Sequence, residues 1–289
     1  MFERLNRPYA KMQAFRNMIA AIIPVFLVLI ATQVRAQQTP ELVRFQSMSP
    51  DRAELTARLH LPRTSQPAPA VVLMHGCGGW QPEVLAALEH YALFLVRSGY
   101  VVLNLDSFGS RNRVGGRVCG SLGELTRARS YRTYDAFTAL DFLRRQPFID
   151  SQNIFLVGQS NGGSVALISA LTKTTDRFGG NGFRGIVALY PWCGAAGGTR
   201  LDLHSPLLVL GGAMDDWVPP HKCQRFKARG QELTVMVYEN AAHSYDLRIP
   251  MQRYLGNLVG YNPKAAADTR TQMLAFFQRQ QADQRLVMR

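Results

Sequence analysis

The hexapeptide Gly158-Gln159-Ser160-Asn161-Gly162-Gly163 sets one serine among small residues. A serine hydroxyl is a weak nucleophile until an imidazole takes its proton, and the imidazole needs a carboxylate to hold its tautomer and stabilise its charged form. The apolar run at 154–157 leads straight into the hexapeptide and a small-residue helical pattern follows at 164–173, which is the strand-turn-helix setting of a nucleophile elbow. On so tight a turn only glycine-sized neighbours fit, and the Ser160 hydroxyl is lifted above the end of a sheet. The same glycines would serve an ordinary turn in which Ser160 merely packs.

The acid and the base are sought downstream, in the order Ser, Asp, His. After the apolar run at 207–210 comes Gly211-Gly212-Ala213-Met214-Asp215-Asp216-Trp217-Val218-Pro219, which puts a carboxylate just past a strand end. Asp215 is the candidate acid, and Asp216 is its rival; either residue type also builds turns. Of six histidines, His60 and His90 fall on a predicted strand and helix, His75 opens a glycine-rich loop before the serine, and His204 and His221 lie in connecting segments. Only His243 follows the last strand-like run, 233–238, and it is the candidate base. Acyl transfer also requires backbone N–H donors for the oxyanion of the tetrahedral intermediate. The N–H of Asn161 is one candidate, and the Gly-rich loop His75-Gly76-Cys77-Gly78-Gly79 offers the other, most simply at Cys77.

Competing chemistries have little support. No CxxC, HExxH or HxH cluster occurs, so no metal is expected, and no GxGxxG follows a strand, so no dinucleotide cofactor is expected either. The arginines (Arg58, Arg97, Arg111, Arg113, Arg144, Arg225) are scattered without an aromatic-interleaved motif, which argues against nucleic acid as a partner.

These groups need elements to position them. Strand-like runs lie at 42–48, 54–61, 68–74, 100–105, 154–157, 185–190, 207–210 and 233–238. Helical periodicity covers 82–98, 125–145, 164–173 and 263–281, the last opening on a proline suited to a first turn. The alternation predicts an α/β protein with a mostly parallel, eight-stranded sheet and helices on both faces. In such sheets chemistry collects at the carboxyl ends of the strands, where the HGCGG loop, the elbow, the Asp215 loop and the His243 loop all fall.

The first 36 residues read as an export signal, to be cleaved after Ala36: a basic start (Arg4, Arg7, Lys11, Arg16), an apolar run at 18–31 too short to span a bilayer, and Val34-Arg35-Ala36 as a small-residue site. Residues 37–289 then form one domain, periplasmic or extracellular, without a stable membrane anchor. The chain carries +13; the leader holds five Lys/Arg and one Glu, net +4, so the remainder carries +9 and favours anionic surroundings. Export puts Cys77, Cys119, Cys193 and Cys223 where disulfides persist. Three pairings are possible, and the order of the strands favours 77 with 119 and 193 with 223.

HGCGG after the third strand, Asp106-Ser107-Phe108 ending the fourth, GQSNGG, GAMDDWVP and the late AAHSYD together resemble the dienelactone hydrolase family of α/β-hydrolases, over nearly all of the expected mature chain. The resemblance implies the α/β-hydrolase fold, a triad of Ser160, Asp215 and His243, and oxyanion donors at Cys77 and Asn161. It selects Asp215 over Asp216 because the family's acid stands three residues before the Val-Pro pair. Founding members carry a cysteine nucleophile where this chain has Ser160, a difference that leaves ester hydrolysis in place. They also hold a substrate carboxylate with an arginine soon after the DxF-like motif, which makes Arg111 and Arg113 the candidates here, with Trp217 as a further substrate contact. A small-molecule ester or lactone is the expected substrate; nothing in the sequence sets an oligomeric state. The contrasting expectation is a catalytically silent protein of this fold that binds an anionic envelope component through its basic surface.

Overall fold

In a computed structural model, residues 39–111 and 117–287 are described, with side chains of the last helix described to 282. The expected leader and Arg113 lie outside the described residues. In chain order the elements are β1 (Glu41–Gln46), β2 (Glu54–His60), β3 (Ala68–Met74), α1 (Pro82–Arg97), β4 (Val101–Asp106), α2 (Leu122–Arg144), β5 (Ile149–Gln159), α3 (Asn161–Ser169), α4 (Thr172–Arg177) and β6 (Gly185–Leu189). They continue with β7 (Arg200–Asp202), β8 (Leu207–Gly212), α5 (His221–Gln224), β9 (Lys227–Arg229), β10 (Leu233–Tyr238), β11 (Gln252–Tyr254), β12 (Asn257–Val259) and α6 (Pro263–Val287).

Eight strands form the main sheet in the order β1-β2-β4-β3-β5-β6-β8-β10. Only β2 runs antiparallel to its neighbours, β1 and β4; from β4 to β10 every pairing is parallel. Successive side chains on a strand point to opposite faces, so each central strand feeds two cores. Ala70, Val72 and Met74 of β3, with Ile154 and Leu156 of β5, pack toward Phe137 and Leu140 of α2 and Val165 of α3. Val71, Leu73, Phe155 and Val157 face the other way, toward Leu88 and Leu95 of α1 and Met273, Phe276 and Phe277 of α6. Burying each of those phenylalanines contributes about 2–3 kcal/mol. The near-continuous apolar runs in the sequence reflect this double coverage.

Element ends shift from the expected ones for local reasons. The chain leaves the sheet at Ser47 because its hydroxyl donates to Asp135 Oδ1 (2.6 Å) and the Met48 N–H to Thr138 Oγ1 (2.9 Å), which ends β1 before residue 48. Helix α2 starts at Leu122, three residues earlier than its periodicity suggests, because the Ser121 hydroxyl accepts the Glu124 N–H (3.2 Å) as an N-cap. The helix predicted over 164–173 is two: α3, then α4. Two short ribbons, β7 with β9 and β11 with β12, are additions.

Candidate active site

Strand β5 delivers Ser160 on a backbone with φ +51° and ψ −111°, outside the ordinary regions for an L-residue. Such strain persists only where its surroundings enforce it, and the glycines show how. A Cβ on Gly158 would lie 2.0 Å from the Gly162 carbonyl oxygen, and one on Gly162 would lie 2.5 Å from the His75 oxygen and 2.6 Å from that of Met74. A Cβ on Gly163 would lie 2.5 Å from the Leu189 oxygen. Strand, turn, helix and the neighbouring strand ends are therefore packed backbone to backbone, and the Ser160 N–H is tied to the Leu189 carbonyl at 2.9 Å. The serine side chain stands half-exposed at the sheet edge.

Two further strand ends meet it. Beyond β10, the ring of His243 is buried with Nε2 2.9 Å from Ser160 Oγ and Nδ1 2.7 Å from Asp215 Oδ2. A carboxylate only accepts, so Nδ1 carries the proton, and Nε2 is left as the acceptor for the serine hydroxyl. Asp215, past the end of β8, accepts the N–H groups of Trp217 (3.0 Å) and Val218 (2.9 Å) on its other oxygen. The main chain of His243 is held as well: its N–H donates to the Leu258 carbonyl at 3.2 Å, and the Gly260 N–H donates to the His243 carbonyl at 3.2 Å. Asp216 faces away, accepting the Leu258 N–H at 2.7 Å and Arg253 Nη1 at 3.1 Å, and the Leu258 N–H is what mainly lowers its pKa.

The Gly76–Cys77 peptide closes the site from β3. His75 Nδ1–H donates to the Gly76 carbonyl at 2.7 Å, and its Nε2 accepts the Ser107 N–H at 3.2 Å. Burial, and next the charge of Arg132, hold the His75 pKa below its ordinary value, so this ring is neutral. In a planar trans peptide the N–H points opposite to the C=O, so fixing the Gly76 oxygen fixes the direction of the Cys77 N–H. Disulfides join Cys77 to Cys119 and Cys193 to Cys223. The Cys77 carbonyl accepts the Val118 N–H at 2.9 Å. Asn161 begins α3, where the first N–H groups have no partner within the helix.

Ser160 and His243 are shared by two hollows. One, of about 250 Å³, is walled by Cys77, Val84, Leu247, Ile249, Tyr254 and Trp217. The other, of about 110 Å³, lies between Leu122, Leu125, Arg129, Trp192 and Trp217. Cys77 and Trp217 line both, the Trp217 ring 5.1 Å from that of His243. Arg111 does not reach either hollow. Its guanidinium bonds to Asp51 Oδ2 (2.7 Å), Asp135 Oδ2 (2.9 Å), Ser49 Oγ (3.0 Å) and the Ser107 carbonyl (2.6 Å), and it lies over the Tyr131 ring at 4.0 Å. With its side chain 5% exposed, it is an internal strut between β1–β2, α2 and the β4 loop, and the expected substrate contact at this residue is withdrawn.

Sequence reading passed over the hairpin β11–β12, whose Gln252, Tyr254 and Val259 line the larger hollow. It also passed over Asp246. That carboxylate is buried, accepts the Tyr190 hydroxyl and Gln159 Nε2 (2.6 Å each), and has its pKa raised by burial. Tyr190 in turn packs edge-on against His243 with centroids 4.8 Å apart.

Residues 55–281 match the profile of the dienelactone hydrolase family. The chain belongs to that family. As a member it is a hydrolase of ester bonds, with serine at the position of the nucleophile. Among solved structures, a dienelactone hydrolase from Anabaena variabilis is 17% identical, covering 84% of this chain and 99% of its own, with a TM-score of 0.56. A dienelactone hydrolase-like promiscuous phosphotriesterase from metagenomic libraries is 20% identical over 84% and 99%, TM-score 0.56. A thermophilic esterase of the planctomycete Thermogutta terrifontis is 17% identical over 84% and 92%, TM-score 0.58. At these identities the likeness is one of fold. No curated protein matches the chain.

Proposed function

We propose that this dienelactone hydrolase family member is an exported serine carboxylesterase or lactonase that works through an acyl-enzyme on Ser160. The observation that carries the reading is the unbroken chain from Ser160 Oγ through His243 to Asp215, with both contacts under 3 Å. His243 Nε2 takes the hydroxyl proton as Oγ attacks the ester carbonyl carbon, and Asp215 stabilises the imidazolium that forms. The carbonyl oxygen becomes an oxyanion, which accepts the Cys77 and Asn161 N–H groups. Collapse breaks the bond to the leaving oxygen, which receives the proton from Nε2. A water then repeats the sequence on the acyl-enzyme, with His243 as its base, releasing the acid and restoring Ser160.

The two hollows that share Ser160 suit the acyl and leaving portions of one small ester, with Trp217 lining both. Removal of residues 1–36 as a leader and action in the periplasm or outside the cell belong to the same proposal. Two disulfides and one compact unit at Gln38–Arg289 support it.

The test uses p-nitrophenyl acetate and a fluorophosphonate probe. Wild-type protein hydrolyses the ester and is labelled at Ser160, whereas Ser160→Ala loses labelling and roughly 10⁴-fold or more of kcat. Folded wild-type protein that neither turns over the ester nor takes the label would reject the reading in favour of a silent binding protein.

A further inference from the structure

Arg132, on α2, is wholly buried, yet among the described residues it makes no ion pair with a carboxylate. Its neighbour Arg111 takes Asp135, the nearest acid on the same helix. Arg132 instead spends its guanidinium on neutral oxygens. Nη2 donates to the His75 carbonyl at 2.6 Å, Nη1 donates to Asn161 Oδ1 at 2.7 Å, and the group lies over the Phe108 ring at 4.9 Å. A contact of 3.4 Å from Nη2 to His75 Nδ1 joins two donors and is not a hydrogen bond, because Nδ1–H is already given to Gly76.

Those two oxygens belong to the two segments that supply the oxyanion donors. The His75 carbonyl sits one peptide before Gly76–Cys77, whose plane the His75 ring fixes. Asn161 is itself the second donor residue, its side chain also anchored by Nδ2 to the Leu125 carbonyl at 3.0 Å. A cation kept out of water with no carboxylate in direct contact is costly to bury, with Asp135 and Asp106 acting on it only at longer range, and its field reaches far in the dry interior. Burial lowers the pKa of Arg132 only to about 10, so it is charged at neutral pH.

We infer that Arg132 is the positioning residue of the oxyanion hole: its fork clamps the Cys77 loop to the Asn161 helix start, and its charge lies behind the place where negative charge develops. The inference rests on the acyl-enzyme reading above. The charge favours the tetrahedral intermediate over the neutral ester, so it acts on kcat and not on substrate binding.

The experiment compares Arg132→Lys, Arg132→Gln and Arg132→Met with wild type. It measures kcat and KM for p-nitrophenyl acetate and the inhibition constant of an aryl trifluoromethyl ketone, whose adduct with a serine is tetrahedral and anionic. Gln and Met are expected to lower kcat by roughly 10- to 100-fold, to leave KM within about threefold, and to weaken the ketone by a factor similar to the loss in kcat. Lys, which keeps the charge, recovers about tenfold of that loss. Equal activity of Gln and Lys, a change confined to KM, or undiminished ketone binding would each overturn the inference. Should the Arg132 variants not fold, Asn161→Ala decides: lower kcat, unchanged KM and weaker ketone binding uphold it, and wild-type values overturn it. Wild-type protein that fails to label at Ser160 sinks the hydrolase reading itself, whereas a labelled, active wild type matched by Arg132→Gln sinks only this inference.

Discussion

The Asp216 carboxylate accepts the Leu258 N–H at 2.7 Å, so it pins the β11–β12 hairpin to the loop that carries Asp215. Adjacent acids have thus taken different work: one orients the imidazole, the other holds the strand that pairs with the main chain of His243. Asp215→Asn is expected to lower kcat by about 10³–10⁴-fold, because an amide would favour the wrong imidazole tautomer. Asp216→Asn should stay within roughly tenfold of wild type, since its pair with Arg253 is exposed and such pairs contribute little. Steady-state kinetics of the two variants settle the assignment, and equal losses would contradict it.

The two disulfides are expected to separate in function. Removing either costs about 2–5 kcal/mol, or roughly 5–15 °C in Tm for a domain of this size. Only the Cys77→Ala/Cys119→Ala pair should also lower kcat several-fold, because it frees the loop bearing the Cys77 N–H. The Cys193→Ala/Cys223→Ala pair should lose Tm while kcat per folded molecule stays near wild type. Thermal melts run beside ester kinetics check both, and a loss of kcat confined to the second pair would refute the separation.

Gly162→Ala leaves the chemistry of Ser160 untouched but drives a methyl group against two backbone oxygens, at 2.5 and 2.6 Å. A cost of about 1–3 kcal/mol in stability is expected, together with slower fluorophosphonate labelling as the turn shifts. Gly198→Ala, where the added methyl meets nothing within 4 Å, serves as the control and should behave as wild type.

Acid should destabilise the fold partly through His75. Its folded-state pKa is depressed, first by burial and then by Arg132, while the unfolded chain takes up a proton near about 6.5. Below that pH the unfolded state binds more protons at this site, so stability falls as pH drops and is flat above it. Urea unfolding between pH 7.5 and 5 should show a shallower decline for His75→Gln than for wild type. Parallel slopes would mean that the buried ring takes its proton freely.

Much of this architecture could be read from local pattern. The apolar runs that became β3, β4, β5, β6, β8 and β10 are covered on both faces, and the glycines around Ser160 are demanded by contacts within the turn and its neighbours. What escaped depends on partners distant in sequence. The ribbon Gln252–Val259 has no alternating apolar signal, as Gln252 and Arg253 are exposed, and its placement comes from the His243 loop and Asp216. Arg111 sits near the expected position for a substrate contact, but Asp51 and Asp135, which flank it from two other elements, claim it. Nothing about Arg132 in a helix already rich in arginine distinguishes it from a solvated side chain; only the approach of the Cys77 loop and α3 encloses it. The Ser121–Glu124 cap that starts α2 at 122 also lies ahead of the periodic stretch expected from 125, because a cap is a polar contact and adds nothing to apolar periodicity.

The covalent link between Cys77 and Cys119 has a consequence for timing. Under the proposed reading, oxidation closes the segment that would receive the developing negative charge, so full hydrolytic activity would follow the formation of that bond.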